Sequence, residues 1–144
     1  MNRFVYGLSV VLSALLVLSG CGEAETDVTV SGKVTVDGAP IPTGAINFVD
    51  PAGIIPTGGG VIADGSYTAK VQPGEKVVMV LGNKLIGQEP LYEGVADSPM
   101  RDKYEMITPE AYNAAHLSPL KATITDSQEG LDFDLDSKLK IKPQ

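Results

Sequence analysis

Cys21 is the only cysteine in the 144 residues, and it is the one side chain whose type and place in the chain together predict chemistry. It follows a segment with the three-part plan of a secretory signal. Residues 1–3 carry one positive charge, residues 4–18 are apolar apart from one tyrosine, one glycine and two serines, and small residues come next. The apolar run is shorter than the roughly 18 to 20 residues that cross a bilayer as a helix. We therefore expect residues 1–20 to be a signal peptide that is removed on export.

The residues at the expected cut, Leu18, Ser19, Gly20 and Cys21, resemble the lipobox of bacterial lipoproteins. The resemblance implies that the Cys21 sulfur receives a diacylglycerol and that its amine, freed by cleavage, is acylated as well. Each buried methylene contributes about 0.8 kcal/mol, so two or more acyl chains make a lasting membrane anchor. The alternative is an ordinary signal peptide with a chance cysteine. We expect a membrane partner, bound through lipidated Cys21, and a location in the cell envelope on the exported side: outer membrane, periplasm or cell surface.

Removal of the leader leaves 124 residues, which is the size of one domain. Ten Lys and Arg then face eighteen Asp and Glu, a net charge of minus eight. An acidic domain without a basic cluster argues against nucleic acid as a partner. Residues 21–27, the lipidated cysteine and a short polar tether, span at most about 20 Å and keep the domain near its membrane. Residues 138–144 form a basic tail, which either guards a sheet edge or touches anionic head groups.

The pattern of the remaining chain predicts strands and tight turns. Apolar residues alternate over Val28 to Asp37 and again over Ser66 to Gln72, as in half-buried strands, and a strand over Ala45 to Asp50 is expected to bury Ile46 and Phe48. Asp64-Gly65 is a hairpin signal. Lys76 to Gly82 is apolar on both faces, which predicts a central strand covered on two sides. A further strand is expected at Leu120 to Thr125, and an amphipathic one from residue 131 onward. The fold class is therefore all-β.

Four turn and core motifs resemble the carboxypeptidase regulatory-like, or transthyretin-like, domain of many small bacterial lipoproteins. They are Gly38-Ala39-Pro40, Asp64-Gly65-Ser66-Tyr67, Pro73-Gly74-Glu75 and Phe133-Asp134-Leu135. Lys76 departs from the family pattern, which usually has Tyr after this turn. The resemblance covers residues 28–137 and implies a prealbumin-like or Ig-like antiparallel β-sandwich of about seven strands. Such motifs specify fold rather than function.

Residues 83–118 interrupt the strand rhythm and are expected to be a partly helical insertion before the last two strands. Thr108-Pro109 is a helix start, with Thr as the N-cap and Pro at the first helical position. The insertion holds three tyrosines, Tyr92, Tyr104 and Tyr112, which form a candidate binding surface. The alternative is that they cover the edge of the core as a lid.

No other residue set predicts chemistry. Asp132, Asp134 and Asp136 lack the glycine and the later glutamate of a calcium loop, and His116 has no partner set. Gly58 to Gly60 precede no phosphate-binding lysine, so we expect them to form a flexible hairpin connection. The transthyretin-like hydroxyisourate hydrolases use two histidines and a C-terminal Tyr-Arg-Gly-Ser, which this chain lacks. We therefore expect no catalytic residue, cofactor or metal, and a non-catalytic structural or protein-interaction module of the envelope that binds an envelope protein. The alternatives are a carbohydrate- or small-ligand-binding module and an accessory domain to an envelope enzyme.

Overall fold

The structure is a computed structural model that describes residues 26–140. The expected signal peptide, the expected lipobox with Cys21 and the last four residues of the basic tail lie outside this part. Among the described residues, no helix is long and apolar enough to cross a membrane. The elements are β1 (Val28–Val36), β2 (Ala39–Pro40), β3 (Thr43–Val49), β4 (Gly58–Ala63), β5 (Ser66–Val71), β6 (Gly74–Pro90), β7 (Met100–Met106), a 3₁₀ helix (Glu110–Tyr112), β8 (Lys121–Ile124) and β9 (Phe133–Leu135).

The predicted all-β class is confirmed, with one curled sheet whose neighbours are antiparallel except where β9 joins β1. The strand order is β2-β1-β5-β4-β3-β6-β7, and β8 pairs with the first residues of β6. Val28 pairs with Val71, just before β6 begins at Gly74, so β6 begins at the end of the sheet where β1 begins. Its last residues lie at the opposite end.

The core lies on one face of this sheet because apolar residues alternate along each strand. Val30 and Val34 in β1, like Ile46 and Phe48 in β3, are fully buried, as the alternation predicts. Tyr67 in β5 packs beside Phe48, and its hydroxyl donates a hydrogen bond to the Leu131 carbonyl at 2.7 Å. Burial raises the pKa of Tyr67, with a smaller contribution from the charge of Asp132. The buried apolar residues are Val30, Val34, Ile41, Ile46, Phe48, Ile62, Tyr67, Ala69, Val71, Val78, Val80, Ala111, Tyr112, Ile124 and Leu135.

Three glycines expected in a loop instead lie in β4. Gly60 pairs with Ile46 of β3, and a Cβ on it would overlap the Thr68 carbonyl oxygen of β5 and stand 2.9 Å from the carbonyl carbon. The same holds for Gly58 against the Lys70 carbonyl. These glycines therefore let β4 approach β5 closely where the sheet curls, and the predicted flexible connection is wrong.

The acidic run near the C-terminus forms only a short strand, β9, in place of the expected long amphipathic one. Its carboxylates accept hydrogen bonds from the first strand and the turn after it. Asp132 accepts from the Lys33 amide at 2.7 Å, and Asp134 from the Thr35 hydroxyl at 2.5 Å and the Gly38 amide at 2.9 Å. These bonds, the one from Thr35 first, lower the pKa of Asp134. The aspartates fasten β9 beside β1.

Residues 83–118 are not the partly helical insertion that the sequence predicts. The first half is β6 running on to Pro90 and returning as β7, and the only helix in residues 83–118 is the three-residue 3₁₀ helix. Thr108 does not cap it, because its hydroxyl accepts a hydrogen bond from the Gly82 amide at 3.1 Å and donates one to Asn113. The Thr108 hydroxyl is thus bonded to β6 and does not cap the helix.

Candidate functional site

The most exposed part of the described chain is a two-stranded antiparallel ribbon, residues 83–106. β6 leaves β3 after the pair between Asn83 and Thr43 and continues beside β7 alone. Every residue of β7 is exposed. From Asn83 to Pro90 the ribbon extends about 23 Å at 3.3 Å per residue. It projects from the end of the sheet opposite Val28, and hence away from the tether that precedes β1.

Strand pairing gives the ribbon two unlike faces, because partners across an antiparallel ladder share a face. The pairs on one face join Leu85 to Tyr104, Gln88 to Asp102 and Pro90 to Met100, with Met106 at the base, so one polar pair interrupts a row of apolar residues. The four large side chains among them, those of Leu85, Tyr104, Met100 and Met106, are 51 to 55% exposed. We call this the apolar face of the ribbon; large apolar residues in such a row are typical of interaction surfaces.

The opposite face is charged and internally paired. Glu89 accepts hydrogen bonds from Arg101 at 2.7 and 2.9 Å and forms an ion pair with Lys103 at 3.2 Å. These contacts, that from Arg101 first, hold the pKa of the Glu89 carboxyl below its usual range. Lys84 and Glu105 are partners nearer the base. These contacts join the two strands of the ribbon, and this face carries side chains of both positive and negative charge.

The tip of the ribbon is held by hydrogen bonds rather than by packing. The Leu91 amide donates to the Pro99 carbonyl at 2.7 Å, and the Tyr92 amide donates to the Ser98 hydroxyl at 2.9 Å. Lower down, the Gln88 amide group donates to Asp102 at 3.0 Å. A shape set in this way before binding loses less conformational entropy when a partner docks.

The three tyrosines of the expected binding surface separate in the structure. Tyr92 and Tyr104 are 59% and 52% exposed on the ribbon, so they do not cover the core as a lid. Tyr112 is 4% exposed, lies within the core cluster, and accepts a hydrogen bond from the Asp136 amide at 3.0 Å. Its place in a binding surface is therefore wrong, and for this residue the lid interpretation describes the position better.

A groove lies at the base of the apolar face. Leu81 and Met106 form one wall, the residues of and after the 3₁₀ helix form the other, and the cavity volume is about 680 Å³. Its lining residues are Leu81, Met106, Glu110, Asn113, Ala114, His116 and Leu117. The groove joins the apolar face into one continuous surface, and it is the place where the single histidine is found.

Lys76 is the unexpected residue of the core. It lies on the core side of β6 in step with Val78 and Val80, is 1% exposed, and its Nζ has no hydrogen-bond partner within residues 26–140. Its charge helps to lower the pKa of Asp50, after the larger contributions of the Ile55 and Ile54 amides. The sequence indicated the burial of Lys76, because this residue alternates in phase with the buried Val78 and Val80. The outer side of the strand is only partly covered, with Leu81 at 36% exposure, so a strand covered on both faces is not what forms.

Replacing Lys76 with Met is expected to raise the free energy of unfolding by about 1 to 3 kcal/mol, because it removes the desolvation of an unpaired buried ammonium and keeps the side-chain length. Urea titration followed by circular dichroism measures the change. Lys70→Met, at an exposed lysine of β5, is the matched control and should shift stability by less than about 0.5 kcal/mol. A loss of stability in Lys76→Met would show that the ammonium has a stabilising partner.

Comparison with models of known families, with curated proteins and with solved structures finds no match to this chain. Within residues 26–140, no group of three histidine, cysteine or acidic side chains is placed to hold a metal ion. Cys21 and the rest of the lipobox lie outside the described residues. The ribbon and its basal groove are therefore the candidate site, and its chemistry is that of a binding surface.

Proposed function

We propose that this protein is a membrane-anchored lipoprotein of the bacterial cell envelope, lipidated on Cys21. Its domain acts as a non-catalytic protein-interaction module. We further propose that the curled sheet is a sandwich of the carboxypeptidase regulatory-like, transthyretin-like kind. The all-β architecture and the turn motifs of the sequence support this assignment.

The ribbon is the observation that carries the proposal. An exposed strand pair with one row of large apolar side chains has no role in packing the core that lies on the other strands. Its side chains can be covered only by another molecule, and tyrosine and methionine are enriched where proteins meet. Gln88 and Asp102 supply polar groups within this row, and the other charges of the ribbon lie on its opposite face.

The direction of the ribbon fits an anchored domain. The tether precedes β1 at Val28, and the ribbon leaves the far end of the sheet. An anchor at Cys21 would hold the first end near the membrane and leave the ribbon, at the other end, free to contact a second protein. This geometry favours an envelope protein as partner over the lipids of the anchoring membrane.

The groove favours a second candidate, a small-ligand or carbohydrate-binding module. Its cavity of about 680 Å³ falls in the range of small-molecule sites, and it offers apolar walls with Glu110, Asn113 and His116 as polar groups. Pull-down of the detergent-solubilised chain against envelope proteins, run beside a glycan array, separates the two candidates. An accessory role to an envelope enzyme is the special case in which the captured protein is that enzyme.

Replacing Cys21 with Ser is expected to move the protein from the membrane fraction to the soluble fraction, because the hydroxyl does not accept the thioether-linked lipid. Membrane fractionation and detergent partition measure the change, and intact mass reports the loss of acyl chains. Ser19→Ala keeps a small residue in the lipobox and should leave the protein anchored. If Cys21→Ser still partitions with detergent, the anchor does not depend on this cysteine.

A further inference from the structure

The outer edge of β7 is unpaired in the described structure. β7 is the last strand in the sheet order and pairs only with β6, so the backbone groups on its other side have no strand partner among residues 26–140. All seven of its residues are exposed. An open edge of this length is a template for strand addition.

Two features leave this edge open to pairing. Lysine and arginine commonly guard an edge strand by repulsion, but here Arg101 and Lys103 both contact Glu89 of the same ribbon. In addition, a two-stranded ribbon is only marginally stable in water, and three or more strands are far better. A third strand along β7 would therefore strengthen the ribbon while meeting little net charge.

We propose that β7 pairs with β7 of a second copy of this chain, antiparallel and centred on Lys103. This inference rests on the proposed function, since it names the protein partner of the ribbon. The pairing is isologous: the same strand contributes from both copies, and the two-fold axis closes the assembly as a dimer. A four-stranded sheet then runs from one body to the other.

Opposite charges and the number of paired residues together select the register. With Lys103 opposite itself, Glu105 of one copy faces Arg101 of the other, twice by symmetry. On the charged face, one row of neighbouring side chains then crosses the four strands. It consists of Lys84 and Glu105 of one copy, followed by Arg101 and Glu89 of the second. Signs alternate along this row, which is the favourable arrangement for cross-strand neighbours. Lys103 faces Lys103 at the centre, and Glu89 of the same chain, 3.2 Å from each of these lysines, offsets their repulsion.

The apolar face agrees with the same register. Met100 of one copy stands beside Met106 of the other, Asp102 faces Tyr104, and all seven residues of β7 find a partner. A register centred on Asp102 would place Asp102 against Asp102 and Arg101 against Lys103. One centred on Tyr104 would pair Lys103 with Glu105, but it would place Met106 against Asp102 and leave Met100 and Arg101 without a β7 partner. The Lys103-centred register therefore pairs the most residues.

The contact is small for a stable dimer in dilute solution, because one strand pair with its side chains falls below a standard interface. Antiparallel pairing puts the two tethers at opposite ends of the assembly, so two copies anchored in one membrane would pair with their ribbons lying along its surface. Anchoring raises the effective concentration of the two copies and favours a weak but specific contact. The test therefore belongs in cells that express the full chain.

Lys103→Cys tests the pairing, because facing residues of antiparallel strands lie within the Cα separation that a disulfide spans. Intact cells are treated with copper phenanthroline, and the chain is examined on a non-reducing gel. We expect disulfide-linked dimers at about tenfold the yield of Lys70→Cys, an exposed position in the middle of the sheet. Arg101→Cys and Glu105→Cys, carried on two differently tagged chains, should crosslink with each other and not with themselves.

Each remaining outcome overturns the inference in a recognisable way. Stronger self-crosslinking of Asp102→Cys or Tyr104→Cys would overturn the Lys103-centred register. In a separate arm, a photoreactive group is attached to the Cys at position 103. If Lys103→Cys yields no dimer but this group crosslinks to a different protein, the dimer is overturned and the proposed interaction function stands. Absence of any adduct would contradict both.

Discussion

Gly60→Val is expected to unfold the domain under native conditions, with a loss of more than about 4 kcal/mol in the free energy of unfolding. The added Cβ would overlap the Thr68 carbonyl oxygen, and the methyl groups would have to enter the close contact between β4 and β5. Both atoms that collide belong to backbone, which cannot move aside as a flexible side chain can. The strands would have to separate, and the Ile46 pairing on the other side of Gly60 would be strained as well.

Urea unfolding followed by circular dichroism measures this change, and the adjacent Val61 supplies the control. Val61 is 72% exposed, so Val61→Thr should alter stability by less than about 0.5 kcal/mol although it lies in the same strand. Gly60→Ala should give an intermediate loss, because it adds the Cβ without the methyl groups. A Gly60→Val domain within about 1 kcal/mol of the native chain would show that the close approach of β4 and β5 is not required.

Strands that present one apolar face could be predicted from the sequence. The alternation in β1, β3 and β5 places Val30, Phe48 and Tyr67 in the core, as the structure confirms. The turn at Asp64-Gly65 could also be predicted, since both residues have positive φ there, at 49° and 75°. Alternation and tight turns depend only on residues that are close in sequence, so the sequence alone is sufficient to predict them.

Features that depend on distant backbone could not be predicted. Three consecutive glycines indicate flexibility by local rules, and only the position of β5 shows that Gly60 is an extended residue pressed against a neighbouring strand. The helix start at Thr108 is similar, because the Gly82 amide, 26 residues away in sequence, takes its hydroxyl. Long-range hydrogen bonds override local preference in both cases.

The site was predicted in part. Tyr92 and Tyr104 are exposed, as a binding surface requires, whereas Tyr112 is buried. All three are expected at one surface because they lie in one segment, but membership of a segment does not show which side chains point into the core. The ribbon itself is hidden in the sequence by its bulge: the register shifts between Leu85 and Gly87, which breaks the alternation that marks a strand. The apolar face becomes evident only when the two strands are paired.

Replacing residues 84–105 with the dipeptide Asn-Gly is expected to abolish partner capture and leave the fold intact. Asn83 and Met106 are direct partners across the ladder, so a two-residue turn can join them. The removed segment contributes no residue to the buried core, so the free energy of unfolding should change by less than about 1 kcal/mol. Membrane association through Cys21 should be unaffected, because the tether is at the other end of the sheet.

The matched control removes exposed apolar side chains elsewhere on the protein. Ile54 and Val61 are 83% and 72% exposed and lie outside the ribbon, so Ile54→Ser with Val61→Ser reduces apolar surface without touching the proposed site. This double variant should keep the native level of capture. Equal losses in the two variants would indicate adhesion through general hydrophobicity in place of a defined surface.

The yield of crosslinked protein adducts in intact cells, compared between the full chain and the ribbon-less variant at equal membrane-bound amounts, tests the central claim most directly. If the ribbon is the interaction surface, adducts, including those with a second copy, fall at least about tenfold when it is removed, as expected for loss of the residues that dominate binding. An unchanged yield from a variant that is folded and membrane-bound would contradict the proposal that the ribbon is the binding surface.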